Sequence, residues 1–502
     1  MFLISVLLKS GYQGMPAVRK YAWSIFASHK FHFLAVTGFA ALLLFWNLDR
    51  GGLSGYDDAL YAHEGKQLLI SGDWSTIRFN GWVNPEYPPL FMWMEAAAMR
   101  FIGVSDLAAK TPAAISGLVV IGFVFLIARL LTDDFWIAIA ASWILTFTQY
   151  FIKYAMHAMT DVPYTMFFVA ALYCYLKASR ASATWLVPCG IAIGMAILTR
   201  SVIGGLALGI CVLHMIFDRQ RNLKWTEAFA LMIVPAVVIP STWLLWQFRL
   251  HGSAFLTGHL TFLAHKMDSG SQFNPWRHVR DVLSYPMLFL RFYWPWLPLS
   301  LIGMGRQIRS VRENRDSNAT FLLLWIFVVI FPFALIDAVA LRYIMPVLPA
   351  LAILAATALQ KKMAAASRRT LVAAFLLCCT TVLAIVAFQH PKERADDMKL
   401  LGPVVDKWTA QNDRAFLYTS GELQYGYANQ LLWYGNRLLE HLAEPLALQK
   451  TLMGSEERTL IIDRASYQAL IEPKAIPARI VAETPNFLCV RILGSKSAPT
   501  RE

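Results

Sequence analysis

Apolar residues run through this chain in long blocks rather than in alternation. A helix that crosses a bilayer needs about 20 mostly apolar residues, within a range of roughly 17 to 25. Such blocks cover 31–49, 113–131, 135–152, 162–178, 184–199, 202–217, 226–248, 284–304, 319–338, 341–359 and 370–389. The pattern predicts about 11 transmembrane helices, the fifth and sixth of them short. Two longer polar stretches interrupt the series, 50–112 and 249–283. After residue 390 the pattern changes. AFLYTS (415–420), TLIID (459–463) and FLCVRIL (487–493) have the composition of short strands, and NQLLWYGNRLLEHLA (429–443) has helical spacing. The expected fold is mainly α, a polytopic membrane protein with a C-terminal soluble α/β domain. Its parts are an N-terminal segment (1–30), a transmembrane domain (31–390) and the C-terminal domain (391–502).

Composition supports a membrane assignment over a string of soluble domains. Of the 502 residues 57% are apolar and only 15% charged, where soluble proteins carry about a quarter charged. The net charge of +13 would suit nucleic acid, but the cations fall in loops between apolar blocks. No nucleic-acid partner is expected, and the cations report topology instead. With the N-terminus in the cytoplasm, that side receives Lys9, Arg19, Lys20 and Lys30, then Lys177 and Arg180, then Arg219, Arg221 and Lys224. It also receives Arg306, Arg309, Arg312 and Arg315, then Lys361, Lys362, Arg368 and Arg369. The short loops of the opposite face hold only Lys153, Arg200 and Arg342. Both long loops and the C-terminal domain then lie outside the cytoplasm, as in a multi-pass protein of the bacterial inner membrane. The six cysteines form no disulfide framework. A seven-residue apolar run before Lys9 is too short for a cleaved signal peptide.

The first loop carries the candidate chemistry. Asp57, Tyr61, Glu64 and Leu68 recur at helical spacing, predicting an amphipathic helix along the membrane surface that Ser71-Gly72 stops. A second such stretch runs from Pro88 to Phe101. Helix capping through Ser54-Gly-Tyr-Asp57 would account for Asp57, but not for a second carboxylate, Glu86, beside two prolines. Asp161 stands at the outer mouth of the fourth span, where capping is again the plain alternative and an ionisable residue is a functional candidate. Arg200 and Arg342 lie in very short turns on the same face, and Arg291 in an apolar run fits a snorkelling side chain. Carboxylates and guanidinium groups gathered at one membrane face suit a phosphate paired with a nucleophilic acceptor.

The segment DDALYAHEGKQLLISGDWSTIRFNG followed by NPEYPPLFMW resembles the first outer loop of the GT-C membrane glycosyltransferases. The nearest branch contains the protein O-mannosyltransferases and the lipid A aminoarabinose transferase. The likeness continues through SDLAAKTPAAISGL, the Thr-Asp-x-Pro at 160–163, LTRS and RYIMPVLPALAIL, covering roughly residues 30 to 360. It implies an inverting transferase that takes a hexosyl or pentosyl unit from a polyprenyl-phosphate donor outside the cytoplasm. The acceptor would be a lipid, a glycan or a protein, with membrane lipids as surroundings. By the same likeness Asp57 occupies the catalytic carboxylate position, with Glu86 and Asp161 at two supporting acidic positions. Arg200 and Arg342 match positions that face the donor phosphate, with Lys153 as a further cation. Asp58, Tyr61, His63, Tyr87, His265 and Tyr343 complete the set as supporting candidates. Two positions depart from the family pattern: Asp58 stands for a Glu, and Tyr87 for a Lys that would contact phosphate.

Inverting transfer asks for one base to take the acceptor proton and for positive charge on the departing phosphate. Asp57 is the candidate base. Glu86 and Asp161 would tune it, or the three carboxylates would share a divalent ion (Mg, Mn or Zn) through oxygen ligands. A lipid-linked glycan ligase is the alternative enzyme. A secondary transporter is the non-enzymatic one, although the chain lacks the paired halves such proteins show. Donor and acceptor specificity is expected from the loop 249–283, which carries His259 and His265, with the tail after residue 390 as a further source.

Overall fold

The computed structural model describes residues 29–382 and 396–493, apart from 219–222, 268–285, 335–340, 366–373, 375–376, 412, 420–423, 443, 454–455 and 475. The segment 1–28, much of the loop 249–283 and most of the span expected at 370–389 lie outside the described residues. What is described is mostly helical. In chain order the helices are α1 (His29–Phe45), α2 (Asp57–Ser71), α3 (Leu90–Ile102), α4 (Asp106–Thr132), α5 (Phe135–Thr146), α6 (Gln149–Ala155) and α7 (Asp161–Arg180). They continue with α8 (Leu186–Arg200), α9 (Leu206–Phe217), α10 (Trp225–His251), α11 (Ser253–Met267), α12 (Leu297–Asn314), α13 (Ser317–Ala334) and α14 (Val347–Ala365).

Length and composition mark several of these as membrane-crossing. The stretches Asp106–Thr132, Ala183–Phe217 and Trp225–His251 are each long and apolar enough, and α5 with α6 forms a pair bent by 66°. Lys30–Phe45, Ser317–Phe333 and Val347–Gln360 are shorter apolar helices. The apolar stretch Ala183–Phe217 does not run straight. Ser201 has φ 55°, and a Cβ on Gly204 would collide with the backbone of Ala196 and Ile197. The chain therefore doubles back at Ser201–Gly205, which places Arg200 at a turn. The block expected at 284–304 is also broken: the helix from 286 ends near 292, and α12 begins at Leu297. Pro295 and Pro298 lack the amide hydrogens that a continuous helix would use. A single large apolar core joins α1, α4, α5, α7–α9, α13 and α14.

Residues 396–493 build a separate sheet. Its strands are β3 (Arg414–Tyr418), β4 (Leu438–His441), β5 (Arg458–Asp463), β6 (Ala478–Glu483) and β7 (Phe487–Ile492), in the order β4-β3-β5-β7-β6; β1 (Arg78–Phe79) and β2 (Trp82–Val83) form a small hairpin in the first loop. Strand β3 runs parallel to β4 and β5, while β7 is antiparallel to β5 and β6. Four helices accompany the sheet: α15 (Asp396–Trp408), α16 (Gln424–Tyr434), α17 (Pro445–Leu452) and α18 (Arg464–Leu470). The three strand-like segments of the sequence coincide with β3, β5 and β7. The helix expected over 429–443 is instead two elements, because α16 stops before Gly435 and the chain continues as β4. Leu438 and Leu439 pack as strand residues beside β3 although their spacing is equally compatible with a helix. Strand β6 carries no apolar alternation and escaped sequence reading.

Candidate active site

Helix α2 does not keep the solvated polar face that its periodicity suggested. Asp58, His63, Glu64 and Lys66 are buried alongside its apolar residues. It is enclosed between α3 on one side and α16 on the other. Its end is set by Gly72, whose φ of 69° is left-handed and whose N–H bonds to the Leu68 carbonyl. Its start is decisive for the chemistry. The cap residue Tyr56 offers no side-chain bond, and the Ser54 N–H donates to Asp58 Oδ2 at 3.3 Å. Asp58 therefore does the local backbone work that a capping reading would give to Asp57. The Asp57 carboxylate turns instead to Arg342, with Nη1–Oδ2 at 2.9 Å.

A second ion pair lies beside the first. Asp161 opens α7, Arg200 ends α8, and the two are joined directly, with Arg200 also donating to Thr160 Oγ1 at 3.2 Å. Both carboxylates sit at helix N-termini and Arg200 at a helix C-terminus, where the backbone dipoles favour those charges. The Tyr343 ring stands between the cations, 5.1 Å from the Arg200 guanidinium carbon and 5.5 Å from that of Arg342. Cation–π attraction thus links the two pairs into one cluster. The pairs differ in exposure: the Asp57 and Arg342 side chains are each 26% exposed, against 1% for Asp161 and 13% for Arg200.

Glu86 is placed by its neighbours. Its N–H donates to Asn84 Oδ1 at 3.1 Å, and the Pro85 carbonyl is 2.6 Å from His259 Nδ1 on α11. Tyr87 packs edge-on to Tyr61 at 5.0 Å and to Phe262 at 5.1 Å. It therefore ties α2 to α11 rather than offering a cation. Burial raises the Tyr87 hydroxyl above its usual range, and Asp57, Glu86 and Glu64 all add to that shift. The Tyr61 hydroxyl is raised by burial and then by Tyr87 and Asp57. Asn84 Nδ2 also donates to Glu64 Oε1 at 2.6 Å. Burial pushes Glu64 up to about 8, partly opposed by that bond. Glu95 on α3 is fully buried, with neither carboxyl oxygen hydrogen-bonded among the described residues, and is likewise held protonated by burial. Sequence reading missed Glu95, because one acid in a helix of mixed composition gives no periodic signal.

Asp57, Glu86 and Asp161 are the acids expected to share a divalent ion. Among the described residues no group of three or more His, Cys, Asp or Glu side chains could hold a metal ion, and Asp57 and Asp161 are each paired with a guanidinium. Lys153, expected as a phosphate-binding cation, is exposed, its ammonium over the Tyr154 ring at 5.4 Å. Of the supporting candidates, His265 is exposed on α11. His63 is buried against the C-terminal part of the chain, with Nδ1 3.0 Å from the Leu432 carbonyl. Burial, followed by Lys66, lowers His63 to about 3, so it stays neutral.

Comparison with known proteins bears on the family and the fold. Residues 86–246 match the family described as dolichyl-phosphate-mannose-protein mannosyltransferase. An uncharacterized protein of Aquifex aeolicus is 25% identical over 336 residues, covering 66% of this chain and 64% of the relative. The undecaprenyl phosphate-alpha-4-amino-4-deoxy-L-arabinose arabinosyl transferase 1 of Pseudomonas fluorescens is 24% identical over 321 residues, covering 61% and 56%. The chain thus spans less than two thirds of the length of these relatives. In fold it is similar to ArnT from Cupriavidus metallidurans, solved bound to undecaprenyl phosphate, with a TM-score of 0.71 at 19% identity over 93% of this chain and 99% of that one. In sequence and in fold the chain is similar to membrane glycosyltransferases of the GT-C class, and within that class the likeness is to the protein O-mannosyltransferase and aminoarabinose transferase type.

Glu64 makes stability pH-dependent in a defined direction. The unfolded chain ionises this carboxyl near its ordinary 4.5, whereas the folded protein holds the proton to about 8. The unfolded state therefore binds fewer protons across that window, and stability falls as pH rises through it. Glu64→Gln keeps the bond from Asn84 without an ionisable group. Thermal unfolding in detergent between about pH 5 and 8 is expected to show a steeper loss in the wild type than in the variant. Parallel profiles would remove Glu64 as the source.

Proposed function

We propose that the protein is an inverting glycosyltransferase that moves a sugar from a polyprenyl-phosphate donor to a lipid, glycan or protein acceptor at the outer face of the membrane. The observation that carries this reading is the Asp57–Arg342 pair lying beside Asp161–Arg200 around Tyr343. In the proposed step the Asp57 carboxylate takes the proton of the acceptor hydroxyl. The acceptor oxygen then forms its bond to the sugar's C1 as the bond from C1 to the phosphate oxygen breaks on the opposite side. The released polyprenyl phosphate keeps that electron pair, and its extra negative charge meets Arg342 and Arg200. Arg342 is the exchangeable partner: moving from Asp57 to the phosphate frees the base at the moment the donor is in place. Glu86 and Asp161 tune the field at Asp57. The phosphate-linked donor is supported by the undecaprenyl phosphate seen in the ArnT structure and by the transferase names of the relatives.

The same reading puts the cluster, the first loop and residues 391–502 outside the cytoplasm, on the strength of the Lys/Arg asymmetry between the two loop sets. A reporter fused after residue 390 is expected to be active only on the outer side, and cytoplasmic activity would reverse the orientation.

The activity is tested by mass spectrometry of polyprenyl-phosphate sugars and envelope glycans from a deletion strain, complemented in turn with wild type and variants. Deletion is expected to leave a lipid-linked sugar unspent and a glycan unmodified. Asp57→Asn should behave as the deletion, since losing a general base costs about 10²–10⁴ in rate, while inserting into the membrane normally. Near-normal transfer would end the assignment of the base. Arg342→Ala should weaken donor binding by about 10- to 100-fold, the scale of one lost charge-assisted bond. An unchanged donor affinity would exclude a phosphate role.

A further inference from the structure

Helix α16 grips the few residues that precede Asp57. Gln430 Nε2 donates to the Leu53 carbonyl at 2.9 Å, and the Leu53 N–H donates to the Tyr434 hydroxyl at 3.0 Å. Asn429 Nδ2 donates to the Tyr56 carbonyl at 3.2 Å. The backbones of Gly55 and Gly426 meet so closely that a Cβ on Gly55 would lie 2.7 Å from the Gly426 carbonyl carbon. The turn 53–56 is therefore built on α16 on several sides, and it leads directly into the first residue of α2.

The grip is anchored away from the turn. Tyr434 passes its own hydrogen to Asp106 Oδ2 at 3.2 Å, and Trp433 Nε1 donates to Asp106 Oδ1 at 2.8 Å. The Trp433 ring is buried with Leu53, Ala59, Ala62, Met99, Ala108 and Ala109, residues drawn from the turn and from α2, α3 and α4. Lys66 on α2 donates to the carbonyls of Leu432, Trp433 and Gly435 at 3.1, 2.6 and 2.7 Å. It so caps the C-terminal end of α16 with a cation, where the helix dipole favours one.

We propose that Gln430 and Tyr434 of the C-terminal sheet domain are positioning residues for the transfer reaction, fixing the Leu53–Tyr56 turn so that the Asp57 carboxylate meets the acceptor hydroxyl. The inference rests on the proposed role of Asp57 as the base. A misplacement of about 1 Å at a reacting group costs on the order of 10²-fold in rate, so holding this turn matters to turnover. The donor phosphate is met by Arg342 and Arg200, which the helix bundle carries, so its binding depends on the turn only through the partly exposed and therefore weak Asp57–Arg342 pair.

The test uses full-length protein in detergent, with the polyprenyl-phosphate sugar fraction extracted from the deletion strain as donor and undecaprenyl phosphate as a competing probe. The double variant Gln430→Leu/Tyr434→Phe is expected to lower kcat per folded molecule by about 10- to 100-fold. The KM for donor and the inhibition by undecaprenyl phosphate should stay within about twofold. Arg491→Ala serves as the comparison: it breaks bonds to Trp408, Thr459 and Glu457 inside the sheet without touching the turn. It should lower stability while leaving kcat per folded molecule unchanged. An unchanged kcat in the double variant, or an equal fall in kcat for Arg491→Ala, would overturn the positioning role. Asp57→Asn in the same assay keeps the two ideas apart: if it turns over normally, the base assignment fails whatever α16 does.

Discussion

The arrangement of this end of the molecule depends on bringing together two carboxylates and two guanidinium groups, one pair of them deeply buried. In a site largely removed from water a lone charge costs several kcal/mol, and breaking a buried pair by removing one partner costs about 3–5 kcal/mol. Asp57 begins α2, Asp161 begins α7, Arg200 ends α8, and Arg342 lies in the short Leu341–Ile344 turn before α14. Pairing therefore requires four separate chain segments to end at one place. The reversal at Ser201–Gly205 and the break between α13 and α14 become necessary features in this light. Each delivers an arginine to the end of the bundle where the carboxylates stand.

Much of this cluster is visible in the sequence, because a charge in an apolar chain stands out by composition alone. Asp57, Asp161, Arg200 and Arg342 were all identifiable on that basis. What sequence could not show is who pairs with whom. A trio of acids reads equally well as a metal site or as partners for arginines, and the convergence of helix ends shows which arginines Asp57 and Asp161 meet. His63 shows the same limit from the other direction. Its place within a run rich in acids and aromatics suggested the site, yet on α2 it lies six residues from Asp57 and faces the carbonyl of Leu432 instead. Tyr87 looked like a missing cation and proves to be a packing residue between Tyr61 and Phe262.

The C-terminal sheet was the least informative part of the sequence, since its strands and helices carry ordinary soluble patterns. Its importance comes from contacts made across more than 300 positions of chain, such as Leu53 with Tyr434, and no local pattern encodes those. Lys66 illustrates why. A lysine in an amphipathic helix is expected on a solvated face, yet here it is 3% exposed and satisfied by backbone carbonyls. A buried cation without a carboxylate partner is tolerable only when several oxygens surround it. The end of α16 supplies them. The loop helix and the C-terminal helix therefore form one structural unit, each completing polar groups that the other leaves open.

The unequal burial of the two ion pairs gives the cluster a direction. Asp161 and Arg200 lie almost wholly inside, so separating them would strand a charge in a poor solvent, and Arg200 is best regarded as a fixed source of positive potential. Asp57 and Arg342 are each about a quarter exposed, where screening by water makes a pair worth far less. Such a pair can exchange partners at modest cost. An incoming phosphate offers Arg342 more oxygen atoms and more charge than one carboxylate does, while Arg200 holds the potential that draws it in. Under the proposed mechanism, the exchange that binds the donor would be the same event that exposes the base. The difference in exposure between the two pairs suits that order.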